Sequence, residues 1–165
     1  MKTLYLVRHA KSSWDNLFLS DHERSLNNRG KRNAPEMGKR LKTRGIMPDV
    51  LISSTAKRAL STARKIAREI GYNKKNIEKT RFLYHADEDA ILELIRQQND
   101  AKDSVMLFGH NPSFTDCVNM LTNANIANVP TCGVVEITFN TGRWSDINKY
   151  EGTLVFFDYP KKSQE

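Results

Sequence analysis

A chain of 165 residues is long enough for one hydrophobic core and is read as a single domain over 1–165. Its apolar and charged fractions are those of ordinary globular proteins, which excludes disordered and fibrous classes, and no apolar run approaches a membrane span. The formal net charge of +7 is the skewed quantity: from Arg29 to Arg44, seven Lys or Arg residues face the single Glu36. Such a segment either draws anions or forms a solubilising helix face.

After Lys2, only five apolar-leaning residues precede the first charge, so no signal-peptide pattern opens the sequence and a cytoplasmic location is expected. Thr3–Val7 reads as a buried strand, followed by a polar loop from Lys11 to about Asn28. A basic helix then runs toward Arg44 and stops at Gly45. Pro35 either kinks it or lies in its first turn, where Asn33 and Glu36 have the spacing of a capping box. Asp49–Ser53 is a second strand. Ser53, Ser54 or Thr55 can cap the next helix, whose Ala59, Leu60, Ala63, Ile66, Ala67 and Ile70 keep helical spacing.

Ile77–Leu83 is a weaker third strand, and Ala90, Ile91, Leu94 and Ile95 mark another helix. Ser104–Phe108 is a fourth strand. It ends in Gly109-His110-Asn111-Pro112, a turn glycine with proline at a first helical position. The helix that follows places Phe114, Cys117, Val118 and Leu121 on one face. Residues 134–139 and 153–157 read as two strands added antiparallel. Cys117 and Cys132 lack metal or redox spacing and read as buried thiols. The alternation of apolar strands and amphipathic helices gives an α/β sandwich around a mostly parallel sheet.

In such folds ligands bind beyond the carboxyl ends of the strands, and three strands end there in polar chemistry. The first delivers Arg8 and His9, the second leads to Arg58 in the first turn of its helix, and the fourth delivers His110. Two guanidiniums suit phosphate oxygens, and an imidazole can serve as nucleophile, acid or base near neutral pH. Each residue alone reads equally as a solvated strand end or helix face; the joint placement on one edge points to a phosphate pocket.

The blocks "LYLVRHAKSSW", "LNNRGKRNAPEMGKRL", "LISSTAKRALSTA" and "VMLFGHNPSF" resemble, in order, motifs of the histidine phosphatase superfamily, and most of all its short SixA-type phosphohistidine phosphatases. The likeness runs from residue 1 to about 122. It implies a phosphoglycerate mutase-like fold, a three-layer α/β/α sandwich with an antiparallel edge. It further implies His9 as the nucleophile, Arg8 and Arg58 as ligands of the phosphoryl oxygens, and His110 completing the pocket, with no cofactor and no metal. Two positions depart from the pattern. Ala10 replaces the usual glycine, which the backbone tolerates if φ there is negative, and Asp15 stands near the signature, where it is expected to point away from phosphate.

Many members of the superfamily supply a carboxylate between the third strand and the next helix as a general acid. Here Asp87 and Glu88 are available, with Asp87 as a candidate general acid that is equally a helix N-cap. A site lacking a strong acid favours P–N over P–O cleavage, because imidazole, with a pKa of about 6.5, is a far better leaving group than an alkoxide. The expected substrate is a phosphorylated protein histidine in a phosphorelay domain, the alternative a small phosphorylated metabolite. A third reading, a nucleic-acid-binding module built on 29–44, leaves Arg8, His9 and His110 without a role and lacks aromatic residues for base stacking. Neither a nucleic-acid nor a membrane partner is therefore expected.

Overall fold

The computed structural model describes residues 1–162. Six strands form one sheet: β1 (Lys2–Arg8), β2 (Val50–Ser54), β3 (Glu78–Thr80), β4 (Ser104–Gly109), β5 (Val134–Phe139) and β6 (Thr153–Asp158), in the order β3-β2-β4-β1-β5-β6. The first four in that order run parallel; β5 and β6 add antiparallel beyond β1. This is the mostly parallel sheet with an antiparallel edge that the sequence predicts.

Strand alternation sorts the core into two halves. Leu4 and Leu6 of β1, with Val105 and Leu107 of β4, pack on one face under α4 (Glu88–Arg96) and α5 (Ser113–Leu121). Tyr5 and Val7, with Met106 and Phe108, pack on the other under α1 (Asn28–Thr43) and α2 (Lys57–Ile70). Both faces of the central strands are covered, so they read as continuous apolar runs without polar alternation. The two cysteines are free and buried, one in each half. Among the described residues no helix is long and apolar enough to cross a membrane.

Four local expectations need correction. α1 begins at Asn28, as expected, but Asn33 and Glu36 do not cap it: Asn27 is its N-cap, accepting from the Gly30 N–H at 2.8 Å, and Pro35 lies inside the helix. Proline there costs the bond to the Lys31 carbonyl, on the exposed side, while Ala34, Met37 and Leu41 are fully buried against the core. The third strand is only Glu78–Thr80; Phe82–His85 curl into a single helical turn, α3. α2 has Ala56 as its cap, with no side-chain bond, so Ser53, Ser54 and Thr55 do not cap it. Pro112 stands at the N-cap of α5, one position before the helix. The basic segment also serves the fold: Arg40 binds Asp158 at 3.2 Å and the carbonyls of Tyr159 and Pro160, and Arg44 lies over Phe156.

Candidate active site

His9 and His110 leave neighbouring parallel strands at the same level. Arg8 pairs with Gly109 in the sheet register, and the His9 N–H donates to the Gly109 carbonyl at 3.1 Å. The two imidazoles therefore sit side by side, with centroids 5.2 Å apart. Gly109 is needed here because a Cβ would come within 2.5 Å of the Phe114 ring, on which α5 approaches the strand. The segment before β5 folds over the end of β1. The Cys132 N–H, at a φ of 61°, bonds the carbonyls of Arg8 and His9, and the Val129 carbonyl accepts from Arg8 Nη1 and Asn111 Nδ2, each at 3.0 Å.

The tautomer of His9 is fixed by its neighbour. Nδ1 lies 2.7 Å from the Ala10 carbonyl, which can only accept, so the proton is on Nδ1 and the Nε2 lone pair is exposed to attack an electrophile. Arg58 Nε donates weakly to that same Nε2, at 3.4 Å. Ala10 is buried, its N–H bonded to Thr62 Oγ1, and it is absent from the positive-φ residues; the backbone has no need of the glycine that this position usually holds. Asp15 is exposed, its backbone N–H bonded to Ser13 Oγ at 3.0 Å.

His110 is held by Ser54 at the end of β2, with Nε2 and Oγ 2.9 Å apart. The Ser54 oxygen already accepts from the Ala56 N–H. When that hydroxyl donates to Nε2, the ring carries its proton on Nδ1. That Nδ1 and Arg8 Nε are both buried without a hydrogen-bond partner among the described residues. Two buried donors beside a nucleophilic lone pair are the complement of an oxyanion.

Both rings are kept neutral. Burial, reinforced by nearby Arg58 and Arg8, lowers the pKa of His9 to about 4, and burial with the neighbouring His9 and Arg58 lowers that of His110 to about 3. A histidine whose folded pKa is depressed contributes stability that is complete above its unfolded value of 6.5 and is lost as pH falls through the folded value. Tm is therefore expected to fall between pH 6.5 and 4, and His110→Gln, which keeps the bond to Ser54, to flatten that fall. Identical pH slopes in the two proteins would show that the acid sensitivity lies elsewhere.

Arg58 joins a cluster that sequence reasoning missed. Its Nη1 donates to the Asp21 carbonyl at 2.6 Å and its Nη2 to Asp21 Oδ2 at 3.0 Å. The Tyr84 hydroxyl donates to the same oxygen at 2.5 Å, and Arg24 approaches Oδ1 at 3.1 Å through both Nε and Nη2. Asp21 thus ties two guanidiniums together, and its carboxyl is held far below the usual carboxylate range, first by Tyr84 and then by Arg58 and Arg24. Arg24 is itself buried against Ser12 Oγ at 2.6 Å, and its charge also lowers the His9 pKa. Tyr84 turns a ring edge toward His110, with centroids 5.5 Å apart. Asp21 and Arg24 lie in the loop between β1 and α1, away from any strand end, where three charged side chains in the short run "DHER" were the available signal; Tyr84 directly follows the expected third strand.

The structure brings Arg58, His9 and His110 into direct or ring contact and sets Arg8 against the end of the same strand. Asp87 is apart from them. Its Oδ1 accepts from the Ala90 N–H at 2.8 Å as the N-cap of α4, and among the described residues none of its hydrogen bonds reaches either histidine. Capping is the role the geometry gives it.

A neutral imidazole, two buried donors without a partner among the described residues and two adjoining arginines form a pocket whose donors suit the oxygens of a phosphoryl group. Residues 4–83 match the histidine phosphatase superfamily (branch 1). The structure assigned as the phosphohistidine phosphatase SixA of Agrobacterium tumefaciens is similar at a TM-score of 0.83 and 27% identity, over 96% of this chain and 98% of that one. The protein histidine phosphatase SixA complexed with tungstate shares the fold at a TM-score of 0.82 and 19% identity, over 96% and 97% of the two chains. An uncharacterised protein of Mycobacterium leprae is 29% identical over 94% of this chain and all of its own length.

Proposed function

We propose that this phosphatase hydrolyses phosphohistidine on a protein, through a covalent phosphohistidine on His9. The observation that carries this reading is the state of Asp21, the carboxylate bonded to Arg58 beside His9. Ionised and committed to Tyr84, Arg24 and Arg58, it cannot protonate a leaving group. Asp87 is spent as a cap. A pocket without a donor acid of this kind handles imidazole, which departs neutral when its other nitrogen carries a proton, far better than an alkoxide.

In the first step His9 Nε2 attacks phosphorus and the P–N bond to the substrate imidazole breaks. Arg58 and Arg8 Nε bind the equatorial oxygens, and His110 Nδ1–H donates to a third. Nε2 then exchanges its weak contact with Arg58 for the bond to phosphorus, while Nδ1–H stays on the Ala10 carbonyl and stabilises the charge formed on the ring. In the second step water attacks phosphorus, the P–Nε2 bond breaks, and inorganic phosphate leaves with the proton that water gives up. The guanidiniums supply the positive charge, and a metal-independent reaction is proposed on that ground.

The test is a substrate comparison with and without EDTA. Hydrolysis of a protein phosphorylated on histidine is expected to exceed that of sugar phosphates and p-nitrophenyl phosphate in kcat/KM by at least roughly 10²-fold, EDTA having no effect. Predominant activity on the monoesters would assign the protein to small metabolites instead.

A further inference from the structure

The loop that walls the pocket presents its apolar side chains to solvent. Every residue from Trp14 to Asp21 is exposed; Leu17 retains 87% and Phe18 all of its accessible surface. Both ends of the loop are fixed to the site. Ser12 bridges to Leu26 and accepts from Arg24, Trp14 lies under the Arg24 guanidinium at 3.6 Å, and Asp21 is bound to Arg58. The tip is held only by its own turns, Phe18 N–H to Asn16 Oδ1 and Leu19 N–H to the Asn16 carbonyl. Isolated exposed apolar residues are ordinary, but Leu17 and Phe18 are adjacent at the rim of a reactive site, on a loop whose other residues are also exposed.

We infer that Leu17 and Phe18 are a docking contact for the folded protein domain that carries the phosphohistidine. This rests on the reading that the substrate is a protein. The occupant follows from position and charge. Phe18 is three residues from Asp21, within about 10 Å along the chain, a reach that the face of a domain presenting a phosphohistidine covers. Beside the loop a groove of about 520 Å³ is lined by Ser13, Asp15, Asn27, Arg29 and Lys31. Of the charged side chains that line it, the two basic ones, Arg29 and Lys31, outnumber the one carboxylate, Asp15. A domain with an acidic surface and apolar side chains around its phosphohistidine complements both features.

The experiment compares wild type with the double variant Leu17→Ser/Phe18→Ser on two probes: a helical phosphorelay domain phosphorylated on histidine, and phosphoramidate. For the variant, kcat/KM on the phosphodomain is expected to fall at least roughly tenfold, chiefly through KM, while phosphoramidate hydrolysis stays within about twofold of wild type. Unchanged activity on both probes would overturn the docking role. Equal loss on both would overturn it too, by showing that the loop shapes the pocket. Sedimentation of a wild-type dimer that the variant dissolves would assign the patch to a second copy of the chain. If wild type hydrolyses phosphoramidate but no phosphodomain, the protein-substrate reading itself falls, and the docking role with it; that failure is seen before any variant is made.

Discussion

His9→Ala is expected to lose turnover by at least about 10⁴-fold, the scale on which removing a covalent nucleophile acts. Wild type mixed with a labelled phosphodonor and quenched in alkali is expected to retain acid-labile label on His9; the variant retains none. The expectation rests on geometry particular to this ring. Nδ1–H on the Ala10 carbonyl leaves Nε2 as the one nitrogen with a lone pair, and a pKa of about 4 keeps that lone pair available throughout the neutral range. A buried imidazole with an ordinary pKa would be partly protonated, and inert, at pH 6. The substitution removes one of two neighbouring, tilted rings from the edge of the sheet and leaves the β1–β4 pairing intact, so the folded state survives to be assayed. Turnover in His9→Ala at the wild-type rate would refute the covalent mechanism.

Arg58→Ala carries the second largest expectation, a loss of at least roughly 10²-fold in kcat, as for deletion of a donor to transition-state charge. Arg8→Ala is expected to fall in the same range. Arg58 contacts both His9 and Asp21, and the two effects separate by titration. Its positive charge helps to depress the His9 pKa, so in Arg58→Ala the His9 imidazole should titrate at higher pH, by NMR. Asp21→Asn supplies the contrast: it keeps Arg58 and its charge but weakens the clamp, and should lose only about tenfold. Activity of Arg58→Ala within about twofold of wild type would remove this residue from the phosphoryl site.

The parts of this molecule that were legible in the sequence share one physical cause. β1 and β4 are covered on both faces, so Leu4–Val7 and Val105–Phe108 stand out as unbroken apolar runs, and α2 shows an almost complete buried face from Ala59 to Ile70. Chemistry that follows directly on such a strand, as His9 and His110 do, is found by counting to its end. Asp21, Arg24 and Tyr84 are found only in three dimensions. The 11–27 segment has no periodicity, and Tyr84 meets Asp21 across 63 residues of chain. The third strand is shorter than its Ile77–Leu83 reading: Phe82 is half exposed, and the chain curls there into α3. Asn27, Asn28 and Asn33 offer α1 competing caps, and packing of Ala34 and Met37 decides in favour of the first.

β1 is secured at its two ends by unrelated means. At its start the Lys2 ammonium, almost wholly buried, donates to the carbonyls of Asp100 and Lys102 and pairs with Asp103 at 2.9 Å. At its finish the Cys132 amide bridges two successive carbonyls. A strand locked in this way cannot slide along its neighbours, so the depth at which the nucleophile sits is a fixed length of the molecule. Substrates of different size therefore meet the nucleophile at one depth, beside a wall that follows Ser12 and is tied through Asp21.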